Sequence, residues 1–181
     1  MSRLAIPTRE TAPEAARATL DTVEKQLGTV PNLFRLLANS PAALTAYTGL
    51  SAALGRSLDS KTRERIALAV AQVNGCDYCL SAHTYLGEHL ARLDPAEIAL
   101  NRQGRSSDPK ADAVVRFAAA VARERGHVAD SDIAAVRAAG FSDAQIVETV
   151  ALVAENSFTN FLNEVARTDI DFPVVLAADA A

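Results

Sequence analysis

Apolar residues recur at steps of three and four along nearly the whole chain, and no stretch alternates as a half-buried strand does. Leu44, Tyr47, Leu50 and Leu54 make one such stripe, the mark of an amphipathic helix. Ile66 to Ala71 is different: it is apolar on every side, so its helix is expected inside the protein. Glycine, proline and capping residues divide the pattern into nine predicted helices. They run over 13–27 (stopped by Gly28), 33–38, 41–54 and 61–73 (capped by Ser60), then from Cys76 or Asp77 to 92. The rest run from Asp94-Pro95 to near Gly104, over 109–125, from Asp130 or Ser131 to Gly140, and from Ser142 to 167. Pro173 opens an irregular tail. The fold class is therefore all-α, expected as one domain over 1–181, with a core at 41–104 and a C-terminal helical part at 108–173. A shift of 80 residues sets Ile66 on Ile146, Val70 on Val150 and Val73 on Val153, which suggests a repeated helix pair.

Composition narrows the function classes. The chain is 49% hydrophobic and 22% charged, and its formal net charge is -4. That is an ordinary globular balance, and it argues against a nucleic-acid partner. The longest nearly apolar run, Ile66 to Val73, is too short for a membrane span. Met1 to Pro7 lacks the apolar stretch of a secretory leader, so the expected location is the cytoplasm, with no membrane partner.

The only cysteines are Cys76 and Cys79. A pair that close in sequence cannot staple a fold, and in a reducing compartment it points to catalysis or metal binding. Cys76, Cys79 and His83 lie at steps of three and four, on one face of a helix that starts after Asn74-Gly75. A first-turn position, with free backbone N–H groups, favours a thiolate, the nucleophilic form. His83 sits one turn deeper, where it can take a proton from Cys79. Glu64 lies on the preceding helix, and antiparallel packing would bring it to the height of His83 and orient the imidazole. Such a set supports thiol-based reduction: Cys79 attacks an electrophile and Cys76 resolves the product to a disulfide. Alternatives remain at this level. Two Cys and one His fit an open catalytic zinc, although no second pair completes a closed site. Two buried cysteines acting as small apolar residues, or a redox switch without turnover, would carry the same spacing.

The order Glu64, eleven residues, Cys76, two residues, Cys79, three residues, His83 resembles the core motif of alkylhydroperoxidase D proteins, within the carboxymuconolactone decarboxylase-like family. Val30-Pro31-Asn32-Leu33-Phe34 before the motif, and the stretch from Asn156 to Pro173 after it, resemble the peroxidase-related branch. The resemblance implies an all-α fold, a trimer or hexamer, and reduction of organic hydroperoxides. It implies Cys79 as the peroxidatic and Cys76 as the resolving cysteine, and Glu64 and His83 as a proton relay. No metal or cofactor is expected. The implied partner is an external dithiol of the dihydrolipoamide kind. Some relatives carry a histidine just before the second cysteine. Tyr78 stands there in this chain, and a phenol is a poor base near neutral pH, so the relay is expected to lean on Glu64 and His83. The decarboxylase members lack the cysteine pair, which argues against a lactone decarboxylase.

Other polar positions have ordinary explanations. His89 should face solvent, and His127 should meet a helix C-terminus. Asn156, Asn160 and Asn163 form a polar stripe, expected at a helix or subunit contact, with a place beside the thiols as the alternative. Arg63 or Arg65 is expected to pair with Glu64.

Overall fold

The computed structural model describes residues 2–179, and among these residues the regular structure is entirely helical. The helices are α1 (Glu14–Leu27), α2 (Asn32–Leu37), α3 (Pro41–Leu54), α4 (Ser60–Asn74), α5 (Asp77–His89), α6 (Pro95–Arg102), α7 (Pro109–Arg123), α8 (Asp130–Ala138) and α9 (Asp143–Ala166). A short 3-10 turn, Ala177–Asp179, follows the tail.

The all-apolar segment is the organising element. Ile66 to Ala71 is buried throughout α4, which packs against α5, α6, α7 and α9. Ile66, Ala69 and Val70 join Val114, Val115, Phe117 and Ala118 of α7 and Leu152 and Val153 of α9 in the main core. A second cluster ties α1 to α2 and α3 through Ala16, Leu20, Leu37 and Leu44. Burial at about 25 cal/mol per Å² of apolar surface drives both.

Several boundaries differ from expectation for local reasons. Asp59, not Ser60, caps α4: its carboxylate accepts from the Thr62 N–H at 3.0 Å and from the Thr62 hydroxyl at 2.7 Å. α5 stops at His89, and Arg92 adopts φ 57 just beyond. α8 begins after Ala129, whose N–H is held by Asp132 at 2.9 Å. Leu50 of the α3 stripe is 40% exposed, while Leu44 and Leu54 are buried. The 80-residue shift does not mark a repeated helix pair. The break after α4 needs Gly75 at φ 68, whereas the matching segment around Glu155 lies inside the unbroken α9.

Glu97 of α6 is a buried carboxylate within a dense polar knot. It pairs with Arg65 at 2.8 Å and accepts from Ser107 and Asn101. Burial pushes its pKa up, but hydrogen bonds from Ser106, Ser107 and Asn101 outweigh that and hold it at about 2. Its stabilising effect is thus complete above the ordinary carboxylate range and lost as the pH falls toward 2. Glu97→Ala is expected to cost about 3–5 kcal/mol in urea unfolding and to flatten the acid limb of stability.

Candidate active site

The turn between α4 and α5 sets the chemistry. Gly75 in the left-handed region lets the Gly75 and Cys76 N–H groups bond back to Gln72 and Ala71. Cys76 then takes the N-cap of α5, a place usually held by Ser, Thr, Asp or Asn. Its sulfur accepts the Cys79 N–H at 3.3 Å and lies 2.7 Å from the Cys79 sulfur; both are free thiols. Cys79 is the third residue of the helix, where dipole and N–H groups favour negative charge.

α4 and α5 pack against each other so that Glu64 Oε2 meets His83 Nδ1 at 2.9 Å. A carboxylate only accepts, so Nδ1 carries the hydrogen and Nε2 is left as the exchangeable edge. Burial pulls the His83 pKa down, but the Glu64 charge and hydrogen bond raise it overall. Cys79 is held down at about 7. The hydrogen bond from Cys76 contributes most and works against burial; the His83 charge and the Asn163 and Asn160 amides add to it. Cys76 is pushed up by its hydrogen bond to Cys79, by burial and by the Cys79 charge. One sulfur of the pair is therefore the better thiolate.

Neither arginine beside Glu64 pairs with it. Arg65 turns to Glu97, and Arg63 lies under Gly55 at the end of α3. The asparagine stripe of α9 divides. Asn156 Nδ2 bonds back to the Leu152 carbonyl at 2.9 Å, whereas Asn163 Nδ2 reaches the Cys79 sulfur at 3.3 Å. Asn160 accepts from Asn74 at 2.8 Å. Two further groups join the site that were not anticipated. Glu155 of α9 is buried; burial raises its pKa, against the opposing effects of the Ser51 hydroxyl and the His83 and Arg63 charges. Tyr47 of α3 has its pKa raised by burial and then by Glu155, Cys79 and Glu64. Its ring stands between Phe34 at 5.7 Å and Phe158 at 6.5 Å, and through Tyr47 this aromatic row comes within electrostatic reach of Cys79. Nothing local in the sequence marks Glu155 or Tyr47. His89 stacks on Tyr85 at the surface, and His127 is exposed beyond α7.

Tyr78 turns away from the thiols. Its hydroxyl accepts the Leu33 N–H at 3.0 Å and donates to Asp171 at 2.8 Å, while Asp171 also accepts the Asn32 N–H at 2.8 Å. It ties α5 and the tail to the start of α2. The tail continues over α5: Val175 N–H bonds Ser81 at 2.9 Å and Ala177 N–H bonds Asp77 at 2.7 Å. Tyr78→Phe should cost about 1–3 kcal/mol in denaturant unfolding, because it strands the Leu33 N–H and Asp171 Oδ1. The pH dependence of the thiols should be unchanged in that variant, as read from alkylation rates.

Among the described residues no cluster of three or more His, Cys, Asp or Glu is arranged to hold a metal, and no helix is long and apolar enough to cross a membrane.

Residues 40–105, which contain Glu64, both cysteines and His83, match the carboxymuconolactone decarboxylase family. The crystal structure of an alkylhydroperoxidase AhpD core, a peroxidase-related protein from Ralstonia eutropha JMP134, superposes with a TM-score of 0.84 at 25% identity, over 94% of this chain and 92% of that one. The chain has an AhpD-like fold, and its segment 40–105 resembles that family. A peroxidase-related protein from Silicibacter sp. TM1040 shares the fold at TM-score 0.81 and 24% identity, covering 93% of this chain and 91% of that one. The debrominase Bmp8, as a cysteine-to-alanine variant bound to 2,3,4-tribromopyrrole, shares it at TM-score 0.78 and 18% identity, covering 94% of both chains. In sequence, a protein of unassigned function from Haemophilus influenzae is 56% identical over 45 residues, which is 24% of this chain and 40% of that relative.

Proposed function

We propose that this AhpD-like chain is a thiol-dependent peroxidase that reduces organic hydroperoxides. What carries the reading is the arrangement at Cys79: a sulfur held near pKa 7 in a helix first turn, a second thiol 2.7 Å away, and an imidazole held by Glu64. Cys79 thiolate attacks the terminal oxygen of the hydroperoxide. The S–O bond forms, the O–O bond breaks, and His83 protonates the departing alkoxide to an alcohol. Cys76 then attacks the sulfenic acid; a disulfide forms and water leaves with the Cys76 proton. A small dithiol of the dihydrolipoamide kind restores both thiols by exchange. We further propose that the chain works as a homo-oligomer in the cytoplasm. In support, α9 carries Val147, Val150, Phe158, Phe161 and Val165 exposed along one 24-residue helix.

A second reading keeps the dithiol and changes the electrophile. The Phe34–Tyr47–Phe158 row suits a flat aromatic substrate, and Bmp8 is a debrominase. Cys79 would then take halogen from a brominated ring whose carbon gains a proton, and Cys76 would expel bromide as the disulfide forms.

The test is turnover of tert-butyl hydroperoxide with dihydrolipoamide, with the pH varied. Peroxide consumption should rise as the pH climbs through about 7, following the Cys79 thiolate. Absence of consumption, with bromide released from bromopyrroles instead, would establish the second reading.

A further inference from the structure

Asn160 and Asn163 are 0% and 2% exposed, and each leaves one amide edge unmatched. Buried amide groups are nearly always paired. Asn160 Oδ1 is occupied by Asn74, so its Nδ2 is directed elsewhere. That Nδ2 favours the Cys79 thiolate, yet it has no partner at bonding distance among the described residues. Asn163 Nδ2 holds the Cys79 sulfur at 3.3 Å, and its Oδ1 is without a partner among the described residues. The residues are three apart on α9, so their side chains share a face. One unmatched donor and one unmatched acceptor therefore lie beside a single reactive sulfur.

We propose that Asn160 and Asn163 form a cradle for the hydroperoxide oxygen that is transferred to Cys79. This rests on the peroxidase reading and extends it to how the oxidant is recognised. The terminal oxygen of R–O–O–H carries a hydrogen and two lone pairs. Asn163 Oδ1 accepts that O–H, and Asn160 Nδ2 donates to the oxygen. As Cys79 forms its S–O bond and the O–O bond breaks, the same two contacts stay with the oxygen in Cys79–SOH, while the alkoxide leaves with a proton from His83. The cradle orders the terminal oxygen toward sulfur and makes no demand on R, so it selects hydroperoxides as a class. An alkylating agent presents no O–H and gains nothing from it. Asn160 and Asn163 are thus catalytic residues that touch the reacting atoms.

The experiment compares two electrophiles on the same thiol. Second-order rates of Cys79 with tert-butyl hydroperoxide and with iodoacetamide are measured for the wild type, Asn163→Ala and Asn160→Asp, the latter keeping an acceptor for Asn74. Each rate is normalised to the thiolate fraction from a pH titration. The hydroperoxide rate should fall about a hundredfold in each variant, the size of one lost oxyanion-type contact, while the normalised alkylation rate is unchanged. Equal losses with both reagents, or an undiminished hydroperoxide rate, overturn the cradle. A wild type that alkylates fast but ignores hydroperoxide overturns the peroxidase reading itself, and the cradle with it. Asn163→Leu, which fills the volume without a polar edge, makes the same comparison should Asn163→Ala fail to fold.

Discussion

Cys79→Ser is expected to lower hydroperoxide turnover by at least about a thousandfold, the scale seen when a nucleophile is removed from a coupled catalytic unit. Serine keeps the size of the side chain but not its acidity, and no other thiol sits between His83 and the α9 amides. Cys76→Ser should behave differently. Cys79 keeps its place in the first turn of α5 and still forms a sulfenic acid, but nothing 2.7 Å away can resolve it. One equivalent of peroxide is consumed and the reaction stops. Intact-mass analysis should find one added oxygen, or a dimedone adduct at Cys79. Sustained cycling by Cys76→Ser, with dihydrolipoamide as reductant, would mean that the external dithiol resolves the intermediate directly. Full activity of Cys79→Ser would remove the thiol mechanism altogether.

Glu64→Gln is expected to reduce turnover by about 10²–10⁴-fold, the range that general acid–base catalysis supplies. The effect runs through His83. Glu64 raises the imidazole pKa, and the imidazolium charge in turn lowers that of Cys79. On the proposed mechanism, two ionisations bound the active range in the wild type. The thiolate appears as the pH rises through about 7, and the imidazolium that protonates the alkoxide is lost as the pH rises through its own raised pKa. A neutral amide at position 64 moves both limits the wrong way: the imidazolium is lost at lower pH and the thiolate forms at higher pH. The pH profile of kcat/KM should therefore shrink and narrow. The thiolate absorbance of Cys79 should titrate higher in this variant, a change that loss of packing alone would not produce. An unshifted titration would place the Cys79 activation in the helix turn and Cys76 instead.

Much of this protein is legible from local pattern. The 3.6-residue period, the Gly28, Gly75 and Gly140 stops and the apolar block at Ile66 to Ala71 define helices whose centres agree with the structure. Those signals are properties of single segments, set by propensity and capping, and they survive in one dimension. Boundaries moved where a cap was in competition, as at Asp59 and Ser60, because the better-placed carboxylate wins the N–H. The apparent repeat misled because any two helices that face one core share Ala, Val and Ile.

The site divides along the same line. Cys76, Cys79 and His83 lie within eight residues on one helix, and their mutual placement follows from helix geometry. Antiparallel packing of neighbouring helices made Glu64 a reasonable partner, and the 2.9 Å contact is there. Tyr47, Glu155, Asn160 and Asn163 are another matter. They come from α3 and α9, up to 84 residues from Cys79, as in the Asn163 contact, and only the packing of α9 against α3, α4 and α5 brings them together. Tyr78 shows the limit most plainly. Its position between the cysteines is where some relatives carry a histidine, and its hydroxyl is committed to Leu33 and Asp171, the latter 93 residues away. By itself the sequence determined the helices, the two thiols and the imidazole one turn behind them. Tertiary structure decided which buried carboxyl and amide groups surround the sulfur and which way Tyr78 points, because those choices depend on competition for hydrogen bonds between segments far apart in the chain.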